Sequence, residues 1–313
     1  MAERSRRHFS FPQMSTTVTI ENHLPPYPPA WAEKFGEDDF GLFACFFLGK
    51  VEFEFRWIPP GRFMMGSPDS ELGKFEDEGP QVERQVAGFW LGTTVVTQEQ
   101  WLALREENPS QFDKGGQFPV EQVSWDDAVA FAGELSGKTG ADLHLPEERE
   151  WEYACRAGTD SALYTGKELT SKTGKCPHLD EIAWYDENSE SASHEVGGKR
   201  PNAWGLHDML GNVWEWCADP WDSEAYAKFQ REEPALEEEE GAFRVARGGS
   251  WGGRTGVCRA AFRHGFRRVG RGVILGLRLA AGQEPGAAEP QGSGATLPER
   301  RSRARRAGGS DPA

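Results

Sequence analysis

The eight residues from Asp208 to Glu215 put two carboxylates and several backbone carbonyls on one tight bend (DMLGNVWE). Hard oxygen donors gathered so closely suit calcium, which takes carboxylate and carbonyl oxygens together. The alternative is that Glu215 accepts hydrogen bonds from loop amides while Trp214 and Trp216 fill a core. The five cysteines (Cys45, Cys155, Cys176, Cys217, Cys258) are scattered, without a Cys-x-x-Cys pair, so a structural zinc site is not expected. The seven histidines (His8, His23, His144, His178, His194, His207, His264) show no paired spacing on a helix. No phosphate-binding glycine loop or nucleophile elbow occurs. Asp126 and Asp127 stand at a helix start, where the macrodipole accounts for them.

A different chemistry is concentrated in Arg247–Ala280. Gly248-Gly249-Ser250-Trp251 reads as a tight turn with an aromatic anchor, and Gly276–Leu279 as a short buried strand. Trp251 to Ala280 contains seven arginines and no Asp or Glu, in an order with neither helical nor strand period. Such a stretch is either a poorly built core or a surface whose side chains make contacts, and the second reading is the stronger.

The elements needed to position these residues are legible in part. At 313 residues, with 12 Trp and 19 Phe, the chain has enough aromatic area for a core although only 37% of it is apolar. Gly 37 and Pro 20 indicate a loop-rich architecture. Glu52–Ile58 alternates as a strand stopped by Pro59-Pro60-Gly61, a second strand covers Phe63–Ser67, and a third covers Val86–Leu91. Thr97 and Ser124 are N-caps of helices over 97–106 and 124–135, the second turning Val129, Phe131 and Ala132 inward. Pro146–Arg156 starts with proline at the first helical position and sends Trp151 and Ala154 to the core. Residues 1–50 read as an N-terminal arm or leader, 51–280 as the domain, and 281–313 as a disordered low-complexity tail. A net charge of −15 excludes general nucleic-acid binding by bulk electrostatics. The acidic run Glu232–Glu240 reads as a solvated loop. With no apolar leader core and no membrane span, a cytoplasmic protein with reduced thiols is expected.

Six segments together resemble the formylglycine-generating enzyme (sulfatase-modifying factor) family. They are Gly61–Pro68 (GRFMMGSP), Gly88–Trp101 (GFWLGTTVVTQEQW), Pro119–Ala128 (PVEQVSWDDA), Leu145–Thr159 (LPEEREWEYACRAGT), Pro201–Trp216 (PNAWGLHDMLGNVWEW) and Arg247–Trp251 (RGGSW). The resemblance implies an α+β fold of C-type-lectin-like form: a small, twisted antiparallel sheet with two main helices and extensive ordered loops. It also implies that Asp208, Gly211, Val213 and Glu215 hold a structural calcium. Enzymes of this family use two thiols five residues apart to hold copper(I). Here those places fall on Gly253 and Cys258. At most one thiol remains, so an enzyme is not expected, nor a catalytic cofactor.

The end of the chain also resembles variable proteins of diversity-generating retroelements, which share this fold. Arg247–Trp251, Arg259–Arg263 and Gly276–Leu279 stand at the framework places of such proteins. Between them, Gly252, Gly253, Arg254, Gly256, Val257, Phe262, His264, Phe266, Arg267, Gly270, Gly272, Val273 and Ile274 are residue types that adenine mutagenesis of Asn codons produces. Trp31–Phe43 is similar to the leader of that subgroup. The resemblance implies a changeable ligand-binding surface on a rigid scaffold. Phe262, Phe266, Val273 and Ile274 would supply apolar contact, and Arg254, Arg267, Arg268 and Arg271 forks for an acidic protein or other macromolecule, not nucleic acid. The alternatives are a metal-dependent oxidase of the formylglycine-generating type and an inactive relative whose loop has no role.

Overall fold

The computed structural model describes residues 19–20, 25, 27–232 and 243–282. The tail expected beyond 281, except for Ala281 and Gly282, and nearly all of the Glu232–Glu240 run lie outside the described residues.

Among the described residues, thirteen short strands form three sheets. The smallest joins β1 (Thr19–Ile20), β5 (Gly61–Met65) and β6 (Val82–Val86) in the order β1-β5-β6. The largest has the order β2-β3-β4-β7-β13-β8, from β2 (Lys34–Asp38), β3 (Gly41–Leu48), β4 (Val51–Ile58), β7 (Phe89–Gly92), β8 (Leu143–His144) and β13 (Ala280–Ala281). The third, β11-β10-β9-β12, uses β9 (Trp214–Pro220), β10 (Phe243–Arg247), β11 (Arg263–Arg267) and β12 (Leu275–Leu277). Its ladder is antiparallel except that β12 runs parallel to β9. The α+β class, the two main helices and the antiparallel pairing expected from sequence are all present. The strands, however, are divided among three sheets.

In the β3–β4 hairpin, alternation sorts side chains to two faces. Ala44, Phe46, Phe53, Phe55 and Trp57 enter a core with Trp31 and Trp90, whereas Cys45, Glu52, Glu54 and Arg56 take the opposite face. Trp31 is buried and meets Phe46, Phe55 and Trp90 edge to face. This corrects the N-terminal arm. From Trp31 to residue 50 the chain is part of the main sheet and its core, because Trp31 and the Ala44/Phe46 face have an apolar layer to join.

α1 (Gln98–Leu102) starts at Thr97 and α2 (Trp125–Thr139) at Ser124, the expected N-caps, and each is closed by a capping box with the residue three positions on. α2 buries Ala128, Phe131, Ala132 and Leu135, a single stripe at helical spacing. Val129 falls off that stripe and is 40% exposed, against expectation. α3 (Glu148–Arg156) is capped by Glu147, so Pro146 lies one residue outside it. Its buried face carries Glu148, Glu152 and Arg156 at i, i+4, i+8 alongside Trp151 and Ala154. The third expected strand divides into β6 and β7 at Gly88, where the backbone presses against Trp57: a Cβ there would sit 2.4 Å from the indole. Short helices α4 (Pro177–Asp180) and α5 (Ala225–Gln230) complete the fold. No helix among the described residues is long and apolar enough to cross a membrane.

Candidate functional site

The segment after β10 is held by four fully buried arginines, each on a buried glutamate. Arg247 reaches Glu148 (3.3 Å), Glu152 and the carbonyls of Ala260 and Ala261 (2.9 and 3.0 Å). Arg259 grips Glu78 with two hydrogen bonds (2.8 and 2.6 Å) and also reaches Glu71. Arg263 is bidentate on Glu148 (2.7 and 2.6 Å). Arg278 is bidentate on Glu215 (2.9 and 2.7 Å). Burial alone would oppose ionisation of Glu152, but the Arg156 and Arg247 guanidinium groups outweigh it and hold the carboxyl below the usual range. A guanidinium fork matches a carboxylate in two directions at once, so these pairs fix orientation as well as position.

Between the arginines, the backbone is tied to the rest of the fold. Gly248 and Gly249 both have positive φ (94° and 79°), and a Cβ on Gly249 would stand 2.7 Å from the Cys258 sulfur. Trp251 donates from its amide to Asn212 O (2.8 Å) and from its indole to Val273 O (3.0 Å), which brings the start of the segment beside its end. Gly253 O accepts from Asp186 N (3.1 Å), and Gly256 N donates to Lys172 O (2.8 Å). Farther on, Gln122 N donates to Gly272 O and Trp125 N to Arg268 O (3.0 and 2.9 Å), tying the last turn to the start of α2.

This scaffold separates the expected contact residues into groups. Gly252, Arg254, His264 and Arg267 are exposed; Val257, Phe266, Gly270, Gly272, Val273 and Ile274 are half-buried. His264 and Phe266 pack together (ring centroids 4.6 Å apart) against Trp214, and Arg267 lies over Phe243 at 5.5 Å. Burial lowers the His264 pKa, with Asp77 acting in opposition, so the neutral imidazole dominates at neutral pH.

Three of the expected residues are not on the surface. Phe262 is 8% exposed, wedged between Phe75 and Trp214. Gly253 and Gly256 are buried, and Cβ atoms on them would stand 3.0 Å from Ser250 O and Lys172 O. They are framework because the backbone there runs against other backbone. The expected forks of Arg268 and Arg271 are engaged as well, by Asp126 (2.6 Å) and Asp127 (2.8 Å). Sequence reading missed Val269, the most exposed large apolar side chain described at 64%, and Phe243 at 43%. Val269 lies inside the aperiodic run and was open to recognition by its type; nothing local marks Phe243.

Of the four residues expected to hold calcium, the two carboxylates already have protein partners. Both Glu215 oxygens are taken by Arg278, and Oε2 also accepts from the Trp151 indole (2.7 Å). A cation at Glu215 would face the Arg278 guanidinium at contact distance. Asp208 is buried, spends Oδ2 on Gly197 N (2.7 Å), and has Oδ1 without a partner. At the other expected metal position, Cys258 is buried beneath Gly249, and burial pushes its thiol up to about 12. A thiol so protonated is a weak nucleophile, and Gly253 offers no second thiol to share a metal with it.

Sheets divided in this way, with few helices and long loops pinned by buried Trp and Arg, define the C-type-lectin-like fold of formylglycine-generating enzymes. Residues 52–282 match the sulfatase-modifying factor enzyme 1-like domain, and the chain belongs to that family. It is 36% identical over 278 residues to the formylglycine-generating enzyme of Thermomonospora curvata, spanning 68% of this chain and 86% of that enzyme. Among solved structures it is similar to Treponema denticola variable protein 1 (TM-score 0.64, 28% identity, covering 76% of this chain and 98% of that one). PvdO from Pseudomonas aeruginosa gives a TM-score of 0.65 at 28% identity, over 76% and 97% of the two chains.

Proposed function

We propose that this protein is a non-enzymatic ligand-binding protein that presents changeable side chains on a rigid lectin-like scaffold, in the manner of a retroelement-diversified variable protein. The carrying observation is the division of one segment into two populations. Arg247, Arg259, Arg263 and Arg278 are buried on glutamates, while Gly252, Arg254, His264, Arg267, Val269 and Arg271 between them are exposed. A framework so over-determined tolerates change at the exposed places and presents them at little ordering cost. The contact face is aromatic and weakly basic, since Arg268 and Arg271 are already paired; its ligand is a macromolecule offering apolar surface and a carboxylate to Arg267. The likeness to a solved variable protein supports the reading.

The test is a library randomised at Gly252, Arg254, His264, Phe266, Arg267 and Val269. Most members should fold and some should bind unrelated proteins; general failure to fold overturns the proposal. A near-copy of the codons for 247–280 with Asn codons at these places, beside a reverse transcriptase gene, is the expected genomic context.

The second reading, a copper-dependent oxidase, is favoured by the identity to the Thermomonospora curvata enzyme. It requires tight copper(I) binding that Cys258→Ala abolishes. With glycine at position 253, no such binding is expected.

A further inference from the structure

The face of the main sheet turned away from Trp31 carries a polar row. Antiparallel register sets Cys45 opposite both Lys34 of β2 and Glu54 of β4, and alternation brings Glu52 to the same face two residues along. The Cys45 sulfur and one carboxylate oxygen each from Glu52 and Glu54 lie within 4.8 Å of one another. Cys45 is fully buried, while the glutamates are half-buried and wall a cleft of about 280 Å³ shared with Thr93, Thr97 and Gln100. The Cys45 thiol hydrogen-bonds to Glu52, and burial, followed by the two carboxylates, holds it protonated well above the usual thiol range until a cation takes the proton's place. Lys34 (2.8 Å from Glu52), Arg56 (3.4 Å from Glu54) and Thr93 (2.9 Å from Glu54) all engage Oε1 atoms, leaving both Oε2 atoms outside those contacts.

We propose that Cys45, Glu52 and Glu54 bind one zinc-class divalent cation whose fourth position opens to the cleft. One thiolate with two carboxylates is a borderline donor set that suits zinc and not calcium or magnesium. Bond lengths of ~2.0–2.3 Å put donor atoms around zinc ~3.3–3.8 Å apart, so the trio needs to contract by about an ångström. On binding, the thiol proton passes to solvent as the sulfur–metal bond forms, and no electron is transferred. The Lys34 ammonium, on a side chain 52% exposed, leaves Glu52 for water.

Cobalt(II) titration of the full chain tests the site. One equivalent should give a near-ultraviolet thiolate-to-cobalt charge-transfer band, displaced by zinc and lost in Cys45→Ser. Glu54→Gln should weaken binding at least about tenfold. Lys34→Ala removes the competing ammonium and should tighten it; being a surface change, it keeps the test open if Cys45→Ser fails to fold. Absence of the band at about millimolar cobalt, roughly the weakest affinity worth calling a site, overturns the proposal. So does a band that survives Cys45→Ser, or an affinity unchanged by Lys34→Ala.

Discussion

Arg278 and Glu215 are joined by two hydrogen bonds, 2.9 and 2.7 Å, with both side chains fully buried. The pair ties the end of the 247–280 segment to β9, and Arg278 also holds the carbonyls of Gly92 and His207 (2.9 and 2.8 Å). Removing one buried partner strands the other charge in a medium that cannot solvate it, at a cost of about 3–5 kcal/mol. Arg278→Met should therefore lower stability by that amount in urea denaturation. The double variant Glu215→Leu/Arg278→Met should recover part of the loss, because no lone charge remains. Additive losses in the double variant would show that the two residues act separately.

The same pairing bears on calcium. A cation bound to the native state would add stability as RT ln(1 + [L]/Kd), about 2.7 kcal/mol at a hundredfold excess over Kd. With Glu215 committed to Arg278, neither added calcium nor a chelator should move the melting temperature. A clear fall in Tm on chelation would show that the carboxylate exchanges Arg278 for metal.

The fold class was legible through the resemblance of six segments to a known family, and the capped starts of α1 and α2 and the buried strand near Gly276 through local signals: an N-cap residue, a helical pattern, an apolar run. What was not legible depends on distant partners. Glu148, Glu152 and Arg156 look like the solvent face of a helix until Arg247 and Arg263 arrive from about a hundred residues away to bury them. The carboxylate bend from Asp208 to Glu215 read as a metal loop for the same reason, since its counter-ion, Arg278, is 63 residues on. Within the 247–280 segment, residue type did not separate Gly252 from Gly253 or Phe262 from Phe266. Each of those differences is set by what stands opposite: open space or the Ser250 carbonyl for the glycines, and for the phenylalanines the added ring of Phe75, which encloses Phe262 against Trp214 while Phe266 rests half-buried on Trp214 and Trp216.

Those contrasts can be measured directly. His264→Ala, Arg267→Ala and Val269→Ala should each change stability by no more than about 0.5 kcal/mol, as exposed substitutions do. Phe262→Ala should cost roughly 3 kcal/mol, because it empties a wedge in the core. Among the glycines, Gly252→Ala meets nothing within 4 Å and should be close to neutral. Gly249→Ala combines a φ of +79° with a 2.7 Å approach to sulfur and should cost more than about 1 kcal/mol. Thermal or urea denaturation of the six proteins decides the matter. Equal losses for Val269→Ala and Phe262→Ala would remove the division into framework and contact residues on which the proposed function rests.

Asp219 gives the fold a stability that depends on pH near neutrality. Its carboxyl is pushed up to about 7, first by burial and then by the neighbouring Glu148 and Glu147; the Glu148 amide (2.6 Å to Oδ2) and Arg263 only partly oppose this. Because the folded-state value lies above the unfolded one, the protonated acid is the form that folding favours. Its contribution is complete below the ordinary carboxylate range and is lost as pH rises through about 7. Asp219→Asn keeps an oxygen to accept from the Glu148 amide but cannot ionise. Relative to the parent, this variant should gain stability as pH rises from about 4 to about 7 and stay level above about pH 8, by on the order of 4 kcal/mol in all. Taking the difference between the two proteins cancels the other titrating groups, so melting curves over that range isolate Asp219. A difference that stays flat with pH would mean that Asp219 remains ionised beside the start of α3, with Arg263 outweighing its burial and the two glutamates.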